Sequence, residues 1–485
     1  SFPTRRSSDL SEYDAFGVSS MITRTTNDAF QILQFTNTLL RTALLTPIMF
    51  LVSLVMIVKT SLALSGVLAI TVPFIILGVI VIAKLSGPLS ETQQKRLDKL
   101  NRISRENLTG IRVIRAFGND DHENERFAHT NEDYAGVSKK LHKLMAASQP
   151  TFFFLLNLAI IAIFWVSSQM INVGTLQVGE LVAFIEYLFH AMFSIMLFSM
   201  VFIMYPKAQV SANRIQELLN AKPLIVSPEN GVKETKEQGL VEFDHVTFTY
   251  PDGEEPVLRD ISFTAKKGQT VAFIGSTGSG KSTLINLIPR FYDVTEGSIK
   301  IDGVDVRDYD LKTLRNKIGF IPQKTRLFTG TIANNIKFGK KDATQEEIKH
   351  STKVAQAYPF IKRKPKQFEE PISEGGANMS GGQKQRLSIA RAVVRKPEIY
   401  IFDDSFSALD FKTDATLRAK LKEETEESVV LIVAQRIGSI LEADKIIVLN
   451  EGEVVGIGTH SELLNTCQIY NEIALSQLTK EELMQ

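Results

Sequence analysis

One cysteine and one tryptophan occur in 485 residues. A single thiol, Cys467, excludes an internal disulfide framework and suits a reducing compartment. Net charge is nearly absent as well, at +1, which removes the electrostatic footprint expected of a nucleic-acid partner. Internal repeats and low-complexity tracts are missing. No apolar run follows the opening SFPTRRSSDL, so those residues do not read as a secretory signal. They look foreign to the rest, like a translated sequencing adapter, and residues 1–10 are set apart from the fold as an expected artefact.

Charge is scarcest in four stretches, residues 43–58, 62–83, 152–171 and 181–204. Most approach the ~20 residues that a helix needs to cross a bilayer. Basic residues then set an orientation. Lys84, Lys95, Arg96, Lys99, Arg102, Arg105 and others crowd the segment between the second and third stretches, whereas residues 172–180 carry no Lys or Arg. The long segment is therefore expected in the cytosol, with the chain ends, and the short one outside. Within residues 85–149 the apolar spacing is helical, which extends the spans beyond the membrane, and Thr109–Phe117 interrupts it with a turn. Glu186 and His190 lie four apart on one helix face in the fourth span, either as a functional intramembrane pair or as a water-facing one. Asn157, Trp165 and Gln169 read as packing and interface residues.

Residues 211–239 turn polar, with Pro223, Pro228 and Gly231, and are predicted to form a linker. From residue 240 onward short apolar strands alternate with helical segments, which is the pattern of an α/β domain. Strands are expected at 297–301, 318–321, 398–402, 429–433 and 445–449, besides an alternating strand near 241–250, a run at 257–264 and the run at 270–274.

That last run enters Gly275-Ser276-Thr277-Gly278-Ser279-Gly280-Lys281-Ser282-Thr283, which fits G-x-x-x-x-G-K-[ST] in its strand–loop–helix setting. Glycines admit backbone N–H groups close to a polyphosphate, and the helix N-terminus adds partial positive charge. Lys281 is expected to reach the β- and γ-phosphates of ATP, and Ser282 to ligate Mg2+. Residues 399–403 form an apolar strand ending in Asp403, placed for a second Mg2+ contact. Ser380-Gly381-Gly382-Gln383 runs into a second helix and makes another phosphate-binding surface. One nucleotide does not need two.

With these motifs in place, the chain resembles a half-transporter of the ATP-binding cassette (ABC) family, of the exporter type, from about Tyr13 to the C-terminus. The resemblance implies a membrane α-helical domain, type IV exporter-like, followed by an α/β P-loop nucleotide-binding domain. Domain limits are then 11–210, a linker at 211–239 and 240–485. In that family the signature turn of one subunit closes over the nucleotide of the other. Carried over by motif, Tyr250 would stack on adenine, Gln323 would touch Mg2+ and sense the membrane domain, and Glu374-Gly375-Gly376 would meet the coupling helices. Asp410 would lie in the loop that speaks across the dimer, and the turns at residues 16–22 and 109–117 would be the coupling helices. The family has six spans per chain; four are legible here, so the first two are expected to be missing.

Two positions depart from the pattern. Asp404 stands where the family usually has the glutamate that polarises the attacking water, and Gln435 where it has a histidine. A carboxylate withdrawn by ~1 Å can cost ~10²-fold in rate, and a glutamine cannot become cationic to stabilise developing charge. The reading is thus a subunit that holds Mg-ATP, cleaves it slowly, and pairs with a second half-transporter bearing the glutamate and histidine. Such asymmetry resembles heterodimeric bacterial multidrug exporters of the plasma membrane, with a small amphipathic molecule or a lipid as substrate. Alternatives are an idle regulatory or assembly subunit, a homodimer with two slow sites, and a soluble cassette ATPase of the DNA-repair or cohesin type, against which the four spans count.

Overall fold

The computed structural model describes residues 16–221, 223–236 and 238–477; the stretch read as an artefact, and Tyr13, lie outside them. Two compact units divide the chain near residue 219.

The first unit is helical. α1 (Val18–Thr60) follows Gly17, whose φ is +70°; of the turn expected at residues 16–22 only this glycine breaks the helix, and residues 18–22 are already helical. α2 (Leu62–Thr109) is capped by Ser61, whose hydroxyl accepts from the Leu64 N–H at 3.3 Å. α3 (Ile111–Phe117) is the predicted interruption, bounded by Gly110 and by Gly118 at φ +61°. It leaves Phe117 82% exposed. α4 (Asp120–Asn172) and α5 (Val178–Asn220) complete the unit. Among the described residues four helices are long and apolar enough to cross a membrane.

At 1.5 Å per residue, the 48 residues of α2 reach ~72 Å, well over twice the ~30 Å of a hydrocarbon core. The remainder is polar: Arg96 pairs with Asp133 at 2.8 Å, Gln93 Nε2 donates to Ser138 Oγ at 2.8 Å, and Arg126 pairs with Glu106 at 2.6 Å, all joining α2 to α4. The apolar ends pack through Ile57, Leu64, Leu156, Ile163, Phe184 and Leu188, while Leu44, Phe74, Ile161 and Phe164 stay exposed. Water would not tolerate that much outward apolar surface, and lipid does. The polar end of α1 is tied to α5 by buried charge. Arg24 donates to the Arg214 carbonyl at 2.5 Å and pairs with Glu217 at 3.0 Å, and Asp28 Oδ1 accepts from Ser211 Oγ at 3.0 Å. Both sit where α1 widens into a π-turn, Arg24–Asp28. Glu186 and His190 approach to 3.9 Å with side chains 68% and 51% exposed.

The polar segment from Ser211 differs from expectation at its start. α5 continues to Asn220 because Leu218 keeps the helical spacing and is buried.

The second unit is α/β. A four-stranded antiparallel sheet has the order β2-β1-β4-β5, with β1 Leu240–Phe248, β2 Leu258–Lys266, β4 Glu296–Ile301 and β5 Val304–Asp305. The main sheet is built from β3 (Thr270–Gly275), β6 (Ile318–Ile321), β9 (Ile399–Asp403), β10 (Val429–Val433), β11 (Lys445–Asn450) and β12 (Glu453–Gly458). Its order is β12-β11-β3-β10-β9-β6, parallel except for β12. A short pair, β7 (Gly330–Thr331) and β8 (Pro371–Ile372), stands apart. β3, β9 and β10 are almost wholly buried, as strands covered on both faces must be. β12 was not expected; its two glycines dilute the strand signal.

The helices of this unit are α6 (Lys281–Leu287), α7 (Leu311–Asn316), α8 (Ile332–Lys337), α9 (Gln345–Val354), α10 (Tyr358–Lys362), α11 (Gly381–Val393), α12 (Phe411–Glu424), α13 (His460–Thr466) and α14 (Gln468–Gln477). The linker is fastened to this unit as a strap. Val232 N–H donates to the Asp308 carbonyl at 2.9 Å, Asp310 N–H donates to the Val232 carbonyl at 3.1 Å, and Arg290 donates to the Val226 carbonyl at 3.2 Å. Gly231 is required there, because a Cβ would sit 2.5 Å from the Asp310 nitrogen.

Candidate functional site

Parallel strands whose order reverses about a central strand place a ligand at their carboxyl ends. β3 is that strand here, entered late by β10 and β11 on its two sides. At its end Gly275 passes so close to Leu449 that a Cβ would lie 2.0 Å from the carbonyl oxygen, so only glycine fits. Ser276, Thr277 and Gly278 are exposed, Ser279 is buried, and Gly280 at φ +92° turns the chain into α6. Lys281 Nζ folds back onto this loop, donating to the Gly275 carbonyl at 2.9 Å, the Ser276 carbonyl at 2.6 Å and Ser279 Oγ at 3.1 Å. Burial holds its ammonium below the usual lysine range, and Asp404 and Asp403 pull it back up. The loop has the shape of an anion cradle whose cation is satisfied by neutral oxygens alone, two carbonyls and a hydroxyl, which a phosphate would replace with full charge.

Register brings the carboxylates to the same end, since Asp403 faces Val433 on β10 and Val433 faces Phe273 on β3. Ser282 Oγ donates to Asp403 Oδ1 at 3.0 Å. Burial pushes Asp403 above the ordinary carboxylate range, a charge on Asp404 adds to this, and the Ser282 hydrogen bond opposes it. Asp404 follows in the left-handed region at φ +45°, its N–H donating to the Val433 carbonyl at 2.9 Å. Gln323, just past β6, donates from Nε2 to Asp404 Oδ2 at 3.1 Å. Lys281, Ser282, Gln323, Asp403 and Asp404 therefore converge. Among the described residues no three His, Cys, Asp or Glu gather into a metal cluster. The donor set is one hydroxyl, one carboxamide and one buried carboxylate, which fits a magnesium ion that keeps phosphate oxygens and water as its other ligands.

Tyr250 shares a hydrogen bond of 3.0 Å with Thr283 Oγ1, and its ring stands edge-on to Phe248 and Tyr292. Thr283 and Tyr292 thus join a group in which sequence reasoning had named Tyr250 alone as the aromatic; only the fold sets Tyr292 beside it.

The second surface is separate. Ser380 caps α11, its hydroxyl accepting from the Gln383 N–H at 3.4 Å while Gln383 Oε1 accepts from the Ser380 N–H at 3.2 Å. This reciprocal box presets the turn. Gly382 abuts the Ala408 carbonyl, where a Cβ would stand at 3.1 Å. Asp410 caps α12 by accepting from the Thr413 N–H at 3.0 Å, and the Thr413 contacts hold its carboxyl below the usual range. Among the described residues no hydrogen bond or ion pair links Ser380, Gly381, Gly382, Gln383 or Asp410 to the cradle or to Asp403 and Asp404. Ahead of the turn, Gly375 at φ +61° offers its carbonyl to Lys384 Nζ at 3.0 Å.

Gln435 is exposed just past β10. Its carbonyl accepts from Gln477 Nε2 at 2.8 Å, and Gln477 Oε1 accepts from the Ile437 N–H at 2.8 Å. No sequence signal marks Gln477.

Comparison with known proteins agrees with this layout. The family model for ABC transporter matches residues 258–407, and that for ABC transporter transmembrane region matches residues 7–196. An uncharacterized ABC transporter ATP-binding protein of Mycobacterium tuberculosis is 39% identical over 469 residues, 95% of this chain and 80% of the relative. A Staphylococcus aureus protein named for multidrug export as an ATP-binding/permease protein is 34% identical, covering 92% of this chain and 77% of its own. Among solved structures, a bacterial Atm1-family ABC exporter with ATP bound superposes with a TM-score of 0.80 at 26% identity, over 95% of this chain and 80% of that one. The chain belongs to the ABC transporter family, as a half-transporter of the exporter type in which a membrane helical domain precedes the ATP-binding domain.

Proposed function

We propose that this chain holds Mg-ATP between Gly275 and Thr283, cleaves it slowly, and lends Ser380, Gly381, Gly382 and Gln383, with Asp410, to the nucleotide of a second half-transporter. Lys281 would take the β- and γ-phosphates, Ser282, Asp403 and Gln323 the magnesium, and Tyr250 the adenine. The carrying observation is the Gln323–Asp404 contact at 3.1 Å: the short carboxylate beside the cradle leans on a carboxamide, one methylene short of a glutamate's reach. Gln435 offers hydrogen bonds and no positive charge where the γ-phosphate would lie.

The partner is a heterodimeric companion carrying the glutamate and the histidine. Closure of the two nucleotide domains would draw the membrane halves from inward- to outward-facing, with the coupling turns and Gln323 passing on the change. The setting is a bacterial plasma membrane, with the nucleotide domain in the cytosol, a reading supported by the basic residues of the α2–α4 segment. The cargo is a small amphipathic molecule or a lipid, in keeping with the multidrug-export name of the Staphylococcus aureus relative.

ATP turnover of the purified chain in lipid nanodiscs tests the reading. Slow turnover alone, with a large rise on adding the companion half-transporter, supports it. A brisk rate from this chain alone that collapses in Asp404→Asn overturns it.

A further inference from the structure

We infer that Gln477 is a positioning residue for the loop that carries Gln435, an inference that rests on the proposed place of Gln435 near the γ-phosphate. Among the described residues the Gln435 carboxamide makes no hydrogen bond, so its aim is set by the backbone beneath it. That backbone leaves β10 under one last ladder bond, from the Ala434 N–H to the Phe273 carbonyl at 3.1 Å. It regains regular structure in the 3-10 turn Ile437–Ser439, whose Ile437 is fully buried. Gln435 and Arg436, between these anchors, are exposed.

The carboxamide of Gln477 spans this gap. Its Nε2 donates to the Gln435 carbonyl and its Oε1 accepts from the Ile437 N–H, both at 2.8 Å. One planar group thereby fixes an acceptor and a donor two residues apart. A carboxylate lacks the donor, an ammonium lacks the acceptor, and Asn would fall short by one methylene. The support behind Gln477 is rigid: Tyr470 and Ala474 on α14 are fully buried, and the Tyr470 hydroxyl shares a hydrogen bond of 2.7 Å with His460 Nδ1. The last helix of the described chain therefore ends in a clip on the loop beside the nucleotide. Cradle and clip act on different parts of the reaction. The cradle grips the nucleotide, so losing the clip changes the rate at which bound ATP is cleaved and leaves its binding alone.

The test uses the full chain in lipid nanodiscs with Mg-ATP, measuring kcat and KM for the wild type, Gln477→Ala, Gln477→Glu, Gln435→Ala and the double variant Gln435→Ala with Gln477→Ala. A ~1 Å drift of a group at the reacting centre can cost up to ~10²-fold, and release of one loop is expected to cost about tenfold in kcat with KM within about twofold. Gln477→Glu keeps the Ile437 contact, sets an anion against the Gln435 carbonyl, and serves as the second probe should the alanine variant fold poorly; it is expected to be as slow. In the Gln435→Ala background the Gln477 change should have no further effect, because coupled residues are non-additive. Equal loss in both backgrounds, or full activity of both Gln477 variants, overturns the inference. Slow Gln435→Ala with normal Gln477 variants sinks this inference alone, whereas full activity of Gln435→Ala sinks both it and the reading of Gln435 on which it rests.

Discussion

Gln323 Nε2 stands 3.1 Å from Asp404 Oδ2 and donates to it, joining the end of β6 to the residue just past β9. Lengthening that carboxylate by one methylene should restore the reach that water activation needs. Asp404→Glu is expected to raise single-turnover cleavage of Mg-ATP by about 10- to 100-fold, and Gln435→His to raise it further in the same background. An unchanged rate in Asp404→Glu would show that carboxylate length is not what slows the site.

Tyr250 presents a ring braced by Phe248 and Tyr292 and a hydroxyl tied to Thr283. Base stacking on an aromatic side chain contributes about 1–3 kcal/mol. Tyr250→Ala should therefore weaken ATP binding by about 5- to 150-fold, with Tyr250→Phe close to wild type. Titration with a fluorescent ATP analogue separates the two; equal losses would assign the effect to the hydroxyl.

Glu347 supplies a pH dependence that does not involve the nucleotide. Lys340, at 2.6 Å, and the Thr344 N–H, at 2.8 Å, lower its carboxyl from an ordinary 4.5 to about 2. A depressed folded-state pKa stabilises the fold above the unfolded value, and this is lost as pH falls from 4.5 towards 2. Wild type should melt above Glu347→Gln near neutrality, and the gap should close across that window. A gap that persists at the acid end would refute the assignment.

Gly231 tests the strap. A methyl at this position meets the Asp310 nitrogen at 2.5 Å and its Cα at 2.8 Å. Backbone must move to admit it, at a cost of about 1–3 kcal/mol. Gly231→Ala should lower the melting temperature and speed tryptic cleavage after Lys233 and Lys236. Unaltered cleavage would mean that the strap absorbs the methyl without lifting.

The cradle was legible because its chemistry is local: consecutive residues must supply the glycines, the cation and the hydroxyl. The place of Asp403 at the end of its strand was legible too, since the apolar run Ile399–Phe402 runs directly into it. The long helices were legible by charge starvation at one end and helical spacing at the other. Gln477 was not, because a glutamine that bonds only backbone leaves no pattern at its own position or at its partners'. The Arg24 and Asp28 pair was missed for a related reason, as their partners on α5 lie at Ser211, Arg214 and Glu217, far along the chain in a stretch whose polarity reads as solvent-facing. That polarity also masked the last turns of α5 behind an apparent linker.

Because Val226 and Val232 are stitched to Arg290, Asp308 and Asp310, the ATP-binding half owns its lead-in well before the first strand at Leu240. Excising a soluble half at Leu240 would strip the parallel pairing of Val232 with Tyr309 and open the seam beside a fully buried tyrosine. A piece cut instead upstream of Val226 carries its own selvage, and is the one to choose for calorimetry or nucleotide soaking.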